Sequence, residues 1–104
     1  RMPPYSVDSA WHLFVCHTET SKKRKSLLKF LNKSNIHAGV HYRPIYQNTY
    51  FQKLGFKHTD FPNAENYYSN SISLPLYTDI SIEQIDYIIS KLEEFFGENY
   101  DWYW

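Results

Sequence analysis

The spacing of apolar side chains in the first half of the chain predicts a strand, a helix and a second strand. Ala10–His17 is rich in aromatic and β-branched residues, which is typical of a strand covered on both sides. Within Ser21–Lys33, three leucines recur at helical spacing while the lysines fall on the other face, which predicts an amphipathic helix. Ile36–Tyr42 alternates apolar and polar positions with a period of two, so it predicts a strand that ends before Pro44.

The second half predicts two short helices, a strand and a long final helix. Thr49–Leu54 precedes a glycine suited to a helix C-terminus, and Pro62 suits the first position of the next helix. Ser71–Leu76 is short and apolar, and its proline makes it an edge strand or a strand end. Ser81, with Gln84 three residues later, forms a capping box before an isoleucine-rich helical face that ends near a glycine at position 97.

This order predicts an α+β fold: a small sheet of about three strands with helices packed on one face. Residues 1–8 contain two prolines and show no periodicity, so they predict a linker or arm. Residues 9–97 form the predicted domain, and residues 98–104 form a strongly aromatic tail.

The composition limits the kinds of partner. Of the 104 residues, 42% are hydrophobic, and the longest apolar run has four residues against the roughly 20 that cross a bilayer, so we expect a soluble, cytoplasmic domain that does not bind a membrane. Eleven basic and eleven acidic residues balance, which gives no net field that would attract nucleic acid. The single cysteine, Cys16, forms no internal disulfide and fits a buried inert thiol.

A metal site is the first chemical candidate, because His37 and His41 lie four positions apart in a predicted strand. In an extended chain their Cα atoms would be about 13 Å apart, too far to share one zinc ion held about 2 Å from each nitrogen. The sequence contains no HExxH helix or cysteine pair, no phosphate-binding glycine loop and no GxSxG turn. The lysines fall on polar helix faces or beside loops, so none suits a Schiff base.

What remains is a polar and aromatic group at a strand end, His41, Tyr42 and Arg43, followed by Tyr46 and Tyr50. A strand end can present side chains to a ligand, with histidine as a proton carrier or hydrogen-bond partner and arginine as an anion clamp. Alternatively, the histidine is a half-buried structural residue and the tyrosines cover the sheet. The spacing alone leaves both interpretations open.

Four segments in this order and spacing identify a family resemblance: SAWHLFV, GVHYRPIYQNTYFQKLGF, FPNAENYYSNSISLPLY and the helix from Ser81. Together they resemble the C-terminal small domain of the DegT/DnrJ/EryC1/StrS family, pyridoxal-phosphate-dependent aminotransferases that act on nucleotide sugars. The resemblance covers about Ser9 to Leu92. The HY-x-P motif and SLPLY carry its specificity in combination, since each is weak alone.

The resemblance implies a fold type I enzyme, usually a homodimer, that moves an amino group from glutamate or glutamine to a nucleotide-linked keto sugar. In this family a large N-terminal domain holds the cofactor and supplies the Schiff-base lysine. No part of this chain resembles that N-terminal domain. The resemblance therefore implies a fragment or isolated domain that binds no pyridoxal phosphate, contains no catalytic residue and is inactive alone. Its partners would be the missing cofactor domain and, in the parent enzyme, the nucleotide-sugar substrate.

The resemblance also implies the substrate-binding residues. His41 would face the cleft near cofactor and sugar, with Tyr42 and Arg43 beside it, and His12 of the WHLF motif would support the same wall. Many members have a histidine in a PLH-type motif where this chain has Tyr46 in PIY, which leaves the role of position 46 and the sugar preference open.

Two other functions remain alternatives. The chain could be a stand-alone α+β interaction module that binds a partner through its aromatic tail and the surface from Tyr46 to Phe51. A metal-dependent hydrolase is a third alternative and would require a bound metal.

Overall fold

The computed structural model describes residues 8–97 and confirms the α+β class. The predicted arm lies outside the described residues except at position 8, and the aromatic tail lies wholly outside them. The described part of the chain contains two strands and four α-helices: β1 (Phe14–His17), α1 (Ser21–Lys33), α2 (Thr49–Lys53), α3 (Pro62–Asn70), β2 (Ser71–Leu74) and α4 (Ile82–Phe96). Two 3-10 turns, Ile45–Gln47 and His58–Asp60, were not expected from the sequence.

The four α-helices lie where the sequence predicts them because their ends carry local signals. The Thr20 side chain accepts a hydrogen bond from the Lys23 N–H and caps α1. Ser81 and Gln84 form the predicted capping box of α4. Gly97 follows that helix with φ of 86°, a left-handed conformation that glycine adopts without strain.

The sheet has two antiparallel strands, in which Phe14 pairs with Leu74 and His17 pairs with Ser71. β1 starts at Phe14 and not at Ala10 as predicted, and Trp11, just before it, has φ of 47°. That conformation lies outside the extended region that a strand requires. The predicted length of the first strand was therefore wrong at its N-terminal end.

The predicted third strand, Ile36–Tyr42, is reduced to a single bridge at Gly39. The Gly39 N–H donates to the Ser73 carbonyl over 3.1 Å, and the Ser73 N–H donates back to the Gly39 carbonyl over 2.7 Å. This segment therefore lies along the free edge of β2, on the side opposite β1. The prediction of a continuous third strand was wrong, because this segment joins the sheet only at the bridge.

The ladder stops after one pair because of the backbone N–H groups on that edge of β2. In this antiparallel register the next hydrogen-bonded pairs would be His37 with Pro75 and His41 with Ser71. Pro75 has no N–H to donate. The Ser71 N–H is already bonded to the Tyr67 carbonyl at the end of α3. Both neighbouring donors are thus unavailable, and the ladder stops after one pair.

The core lies where α1 meets β2 and α4. The predicted leucine stripe of α1 supplies Leu27 and Leu31, and Leu31 and Ile72 of β2 are both fully buried. Ile36 and Leu92 complete the buried cluster. The amphipathic pattern of α1 thus predicted the side that faces the core.

An apolar groove lies beside the core, between α4 and the end of β2. It has a volume of about 480 Å³, and its lining includes Ile85 and Ile88 of α4 and Leu74 of β2. Ile89, predicted for the packed stripe of α4, borders this groove and is 40% exposed. None of the helices in residues 8–97 combines the length and apolar character that a bilayer span needs.

Candidate functional site

His41 is the first predicted site residue after the bridge at Gly39. Its side chain is half-buried, and its Nδ1 atom is buried without a hydrogen-bond partner among residues 8–97. The ring lies edge-on to Tyr42, with centroids 4.7 Å apart. A Cβ at Gly39 would lie 3.4 Å from His41 Cε1, so the missing side chain leaves room for the imidazole to fold back over the bridge. A buried polar atom without a partner costs free energy, which makes this nitrogen a candidate contact for another group.

Tyr42 and Arg43 follow on the surface. Tyr42 is 68% exposed, so its ring is available to a ligand or to another part of a larger protein. Arg43 is also exposed, and its guanidinium makes two hydrogen bonds to Gln47, from Nε to Oε1 over 3.4 Å and from Nη2 to the backbone carbonyl over 3.3 Å. Arg43 is therefore held against the 3-10 turn that follows it.

Tyr46 differs from its neighbours because it is buried, with only 5% of its surface exposed. Its hydroxyl donates to a carboxylate oxygen of Glu65 on α3, and its ring stacks on Phe61 with centroids 4.9 Å apart. Burial, the hydrogen bond to Glu65 and the negative charge of that carboxylate raise the pKa of Tyr46 to about 12. Tyr46 therefore stays neutral and ties the turn to α3.

Gln47 and Glu65 are functional candidates that the sequence did not indicate. The Gln47 Nε2 donates to Glu65 Oε2 over 3.2 Å and lies 3.4 Å from Oε1. Glu65 is half-buried in the first turn of α3. An acidic residue there is normal for a helix start, so its sequence position carries no sign of a partner 18 or 19 residues earlier.

These residues border one open space, which we call the Arg43 cleft. It has a volume of about 660 Å³ and is lined by Arg43, Tyr46, Gln47, Gln52, Phe56, Lys57, His58, Thr59 and Glu65. Of the predicted site residues, Arg43 and Tyr46 meet here. His41 and Tyr42 precede the cleft in the chain and do not line it.

The remaining predicted residues lie elsewhere. His12 is exposed in the segment before β1 and does not line the Arg43 cleft. Tyr50 is 67% exposed on α2, with its ring edge-on to Phe51. Within residues 8–97, no three histidine, cysteine or acidic side chains gather as metal ligands.

The described residues do not fit pyridoxal phosphate by themselves. A Schiff-base lysine needs a desolvated amine with a lowered pKa. The lysines of residues 8–97 are exposed except Lys91, which is half-buried and pairs with Glu94 over 2.9 Å. The hydrogen bond and negative charge of Glu94 raise the pKa of Lys91, the opposite of what that chemistry requires. No step of cofactor chemistry is therefore assigned to these residues.

Comparison with known proteins gives one consistent result. Residues 1–93 match the model of the DegT/DnrJ/EryC1/StrS aminotransferase family. The spore coat polysaccharide biosynthesis protein SpsC of Bacillus subtilis is 36% identical over 90 residues, which cover 82% of this chain and 23% of SpsC. The pleiotropic regulatory protein of Geobacillus stearothermophilus is 33% identical over 94 residues, which cover 89% of this chain and 25% of that protein.

Solved structures agree. The PLP form of Spr1654 from Streptococcus pneumoniae, named as a candidate sugar aminotransferase, superposes with a TM-score of 0.82 at 31% identity, covering 90% of this chain and 25% of that one. PseC of Helicobacter pylori, an aminotransferase involved in the biosynthesis of pseudoaminic acid, superposes with a TM-score of 0.72 at 32% identity, covering 86% of this chain and 24% of PseC. The chain thus spans about a quarter of the length of these relatives.

Proposed function

Because the chain belongs to the DegT/DnrJ/EryC1/StrS aminotransferase family, we propose that it forms the small domain of an enzyme that aminates nucleotide sugars. Residues 9–97 are this domain, and a further part of the polypeptide holds pyridoxal phosphate. The reaction moves an amino group from glutamate or glutamine to a nucleotide-linked keto sugar, and the cofactor carries the electron-sink chemistry when bound. The enzyme acts as a homodimer, and this domain helps to form the sugar-binding wall.

The observation that carries this proposal is the state of His41. The family resemblance assigns this residue to the substrate-facing wall, and its buried Nδ1 has no hydrogen-bond partner within residues 8–97. Native proteins seldom leave a buried nitrogen unpaired, so a partner from outside the described residues is expected. Substrate or the cofactor-bearing part of the enzyme would supply it, while the exposed Tyr42 ring lies alongside.

Each of the chain's own site residues has a separate proposed role. His41 orients a polar group of the sugar or of the neighbouring domain, and Tyr42 packs on the ligand as an amphipathic ring. Arg43 binds a negative group near the sugar. Tyr46 lines the Arg43 cleft and stays a proposed substrate-side residue, whose hydroxyl holds the turn to Glu65. His12 stays a proposed supporting residue of this wall.

The test is a pair of histidine variants in the full-length protein that carries this chain. His41→Ala lowers the rate of transamination from glutamate to a nucleotide keto sugar and keeps the visible absorbance of bound pyridoxal phosphate, which shows that the fold is intact. His37→Ala is the matched control, because His37 is exposed four positions earlier, and we expect this variant to keep full activity. Unchanged turnover in His41→Ala would remove this residue from the site.

A stand-alone interaction module stays the second candidate because of the apolar groove beside α4. A domain of a larger enzyme would cover this face with its own polypeptide, whereas an independent module would cover it with a second copy. Ile89 is 40% exposed at the groove, so Ile89→Glu should abolish a dimer formed there. Analytical ultracentrifugation decides: a dimer lost in Ile89→Glu favours the module, and a monomer at every concentration favours the enzyme domain.

A further inference from the structure

The charges around the Arg43 cleft favour a negative ligand. Arg43 and Lys57 bring two permanent positive charges to its lining, and His58 adds an imidazole. Among residues 8–97, Glu65 is the only acidic side chain in that lining, and its carboxylate accepts hydrogen bonds from Tyr46 and Gln47. Two positive charges against one negative leave the lining with a formal net charge of +1, while Asp60, which accepts from the Lys57 N–H, lies outside that lining.

The Gln47 amide connects the carboxylate to the arginine. An amide has a donating end and an accepting end, so once Nε2 donates to Glu65, Oε1 points the other way. There it accepts the Arg43 Nε–H, while the Gln47 backbone carbonyl accepts from Nη2. These contacts are 3.3 and 3.4 Å long, so they are weak hydrogen bonds that favour this orientation of the guanidinium.

Arg43 keeps free donors in this arrangement. A guanidinium has five N–H donors, and the contacts with Gln47 occupy two of them. The others suit the oxygens of a phosphate group, which arginine binds with two parallel hydrogen bonds. On the other side of the cleft, the Lys57 backbone N–H donates to Asp60 over 2.9 Å, which fixes the turn that presents Lys57 and His58.

We propose that the Arg43 cleft is an anion subsite for a phosphate or diphosphate group, with Arg43 as the clamp and Gln47 and Glu65 as positioning residues. The assignment of this anion to the nucleotide part of a sugar substrate rests on the proposed function. The anion subsite itself rests only on the cleft and its charges. Its volume of about 660 Å³ exceeds the needs of a diphosphate and leaves room for an attached group.

The test is a titration of the 104-residue chain, followed by nuclear magnetic resonance at constant ionic strength. The probes are inorganic phosphate, pyrophosphate and uridine diphosphate, added in separate experiments. Saturable shifts are expected at Arg43, Gln47, Lys57 and His58. Arg43→Gln should weaken pyrophosphate binding by about tenfold, because it removes a charge-assisted bidentate contact. Lys29→Gln, which removes an equal charge from exposed α1, should change it by less than about twofold.

Variants of Glu65 separate positioning from simple charge, because the two predict opposite signs. Glu65→Ala removes a negative charge, which by electrostatics alone would tighten anion binding. If Glu65 positions Arg43 through Gln47, the same variant weakens binding, and Glu65→Gln, which keeps an accepting oxygen, largely restores it. Gln47→Leu should weaken binding about threefold or more without any change of charge. Tighter binding in Glu65→Ala would overturn the positioning role.

The remaining outcomes distinguish this proposal from the proposed function. Shifts spread evenly over the surface lysines, or no saturation, would overturn the subsite even if His41→Ala abolishes transamination. Saturable pyrophosphate binding, together with no transamination of a nucleotide keto sugar by the wild-type full-length protein, would retain the subsite and remove the proposed function. Tighter binding of uridine diphosphate than of inorganic phosphate supports the nucleotide assignment, and equal binding assigns the cleft to free phosphate.

Discussion

Leu31→Ala is the substitution that tests the packing of the domain most directly. Leu31 is fully buried on α1, within a cluster formed with Leu27, Ile36, Ile72 and Leu92. These neighbours come from α1, the segment after it, β2 and α4, so the cavity left by the variant is bordered by separately anchored elements. Such a site collapses poorly, and the cost of the cavity adds to the loss of burial.

The magnitude follows from the atoms removed. Leu31→Ala deletes three buried carbons, each worth about 0.8 kcal/mol, which gives about 2.4 kcal/mol before any cavity cost. With that cost, the free energy of unfolding should fall by about 3 to 4 kcal/mol. A domain of this length is stable by roughly 5 to 15 kcal/mol, so the variant loses a large fraction of it.

Urea unfolding of the 104-residue chain, followed by circular dichroism, measures this loss. With an m-value of about 1 to 3 kcal/mol per M, the midpoint should fall by about 1 to 4 M. Leu54→Ala is the matched control, because the same side chain is 59% exposed at the end of α2 and should cost less than about 0.5 kcal/mol. Equal losses in the two variants would refute the placement of the core around Leu31.

Three further predictions concern titrating groups and a helix cap. The ultraviolet difference between the wild-type chain and Tyr46→Phe should show a phenol that ionises near pH 12. Because this pKa lies above the ordinary value of 10.0, the buried phenol contributes fully to stability below about pH 10, and that contribution is lost as the pH rises towards 12. Burial raises the pKa of the Cys16 thiol from 9.0 to about 11, so at pH 8 a thiol reagent should label the folded chain about a hundredfold more slowly than the urea-unfolded chain. Ser81→Ala should lower the free energy of unfolding by about 1 kcal/mol, measured in urea, because it removes the α4 cap.

Each of these has a result that contradicts it. A Tyr46→Phe difference spectrum with a midpoint near pH 10 would show that Glu65 does not hold the phenol. Equal labelling of Cys16 in folded and unfolded chains would place the thiol at the surface. For Ser81→Ala the control is Ser26→Ala, an exposed position within α1, and an equal effect of both variants would argue against the cap.

The helices were predictable because their signals are local. Thr20, Pro62 and Ser81 each lie next to the helix that they start, and Gly97 follows the helix that it ends. The third strand was not predictable because its limits depend on distant residues. The alternation of Ile36–Tyr42 is real, yet pairing requires N–H donors on β2, more than thirty positions later in the chain, and those donors are absent or occupied.

The residues that line the Arg43 cleft were predictable from the sequence only in part, for the same reason. Arg43 could be selected from its place after a predicted strand, because an arginine beside aromatic residues in a loop is a local pattern. The hydrogen bonds that hold it could not be selected, because Glu65 lies in another element and has the sequence context of an ordinary helix start. Tyr46 was expected at the substrate, and its burial against α3 is decided by packing that sequence spacing does not report.

The interrupted third strand also explains how this region can form a site. A continuous ladder would have engaged the backbone from residue 36 to 42 and directed alternate side chains to opposite faces of the sheet. Instead the chain from Gly39 to Gln47 is held at its two ends, by the Gly39–Ser73 bridge and by the bonds of Tyr46 and Gln47 to Glu65. Between these points the chain is free of strand geometry, so a half-buried His41, an exposed Tyr42 and the guanidinium of Arg43 can follow one another. The loss of strand pairing at Pro75 and Ser71 is therefore a structural condition of the site that we propose.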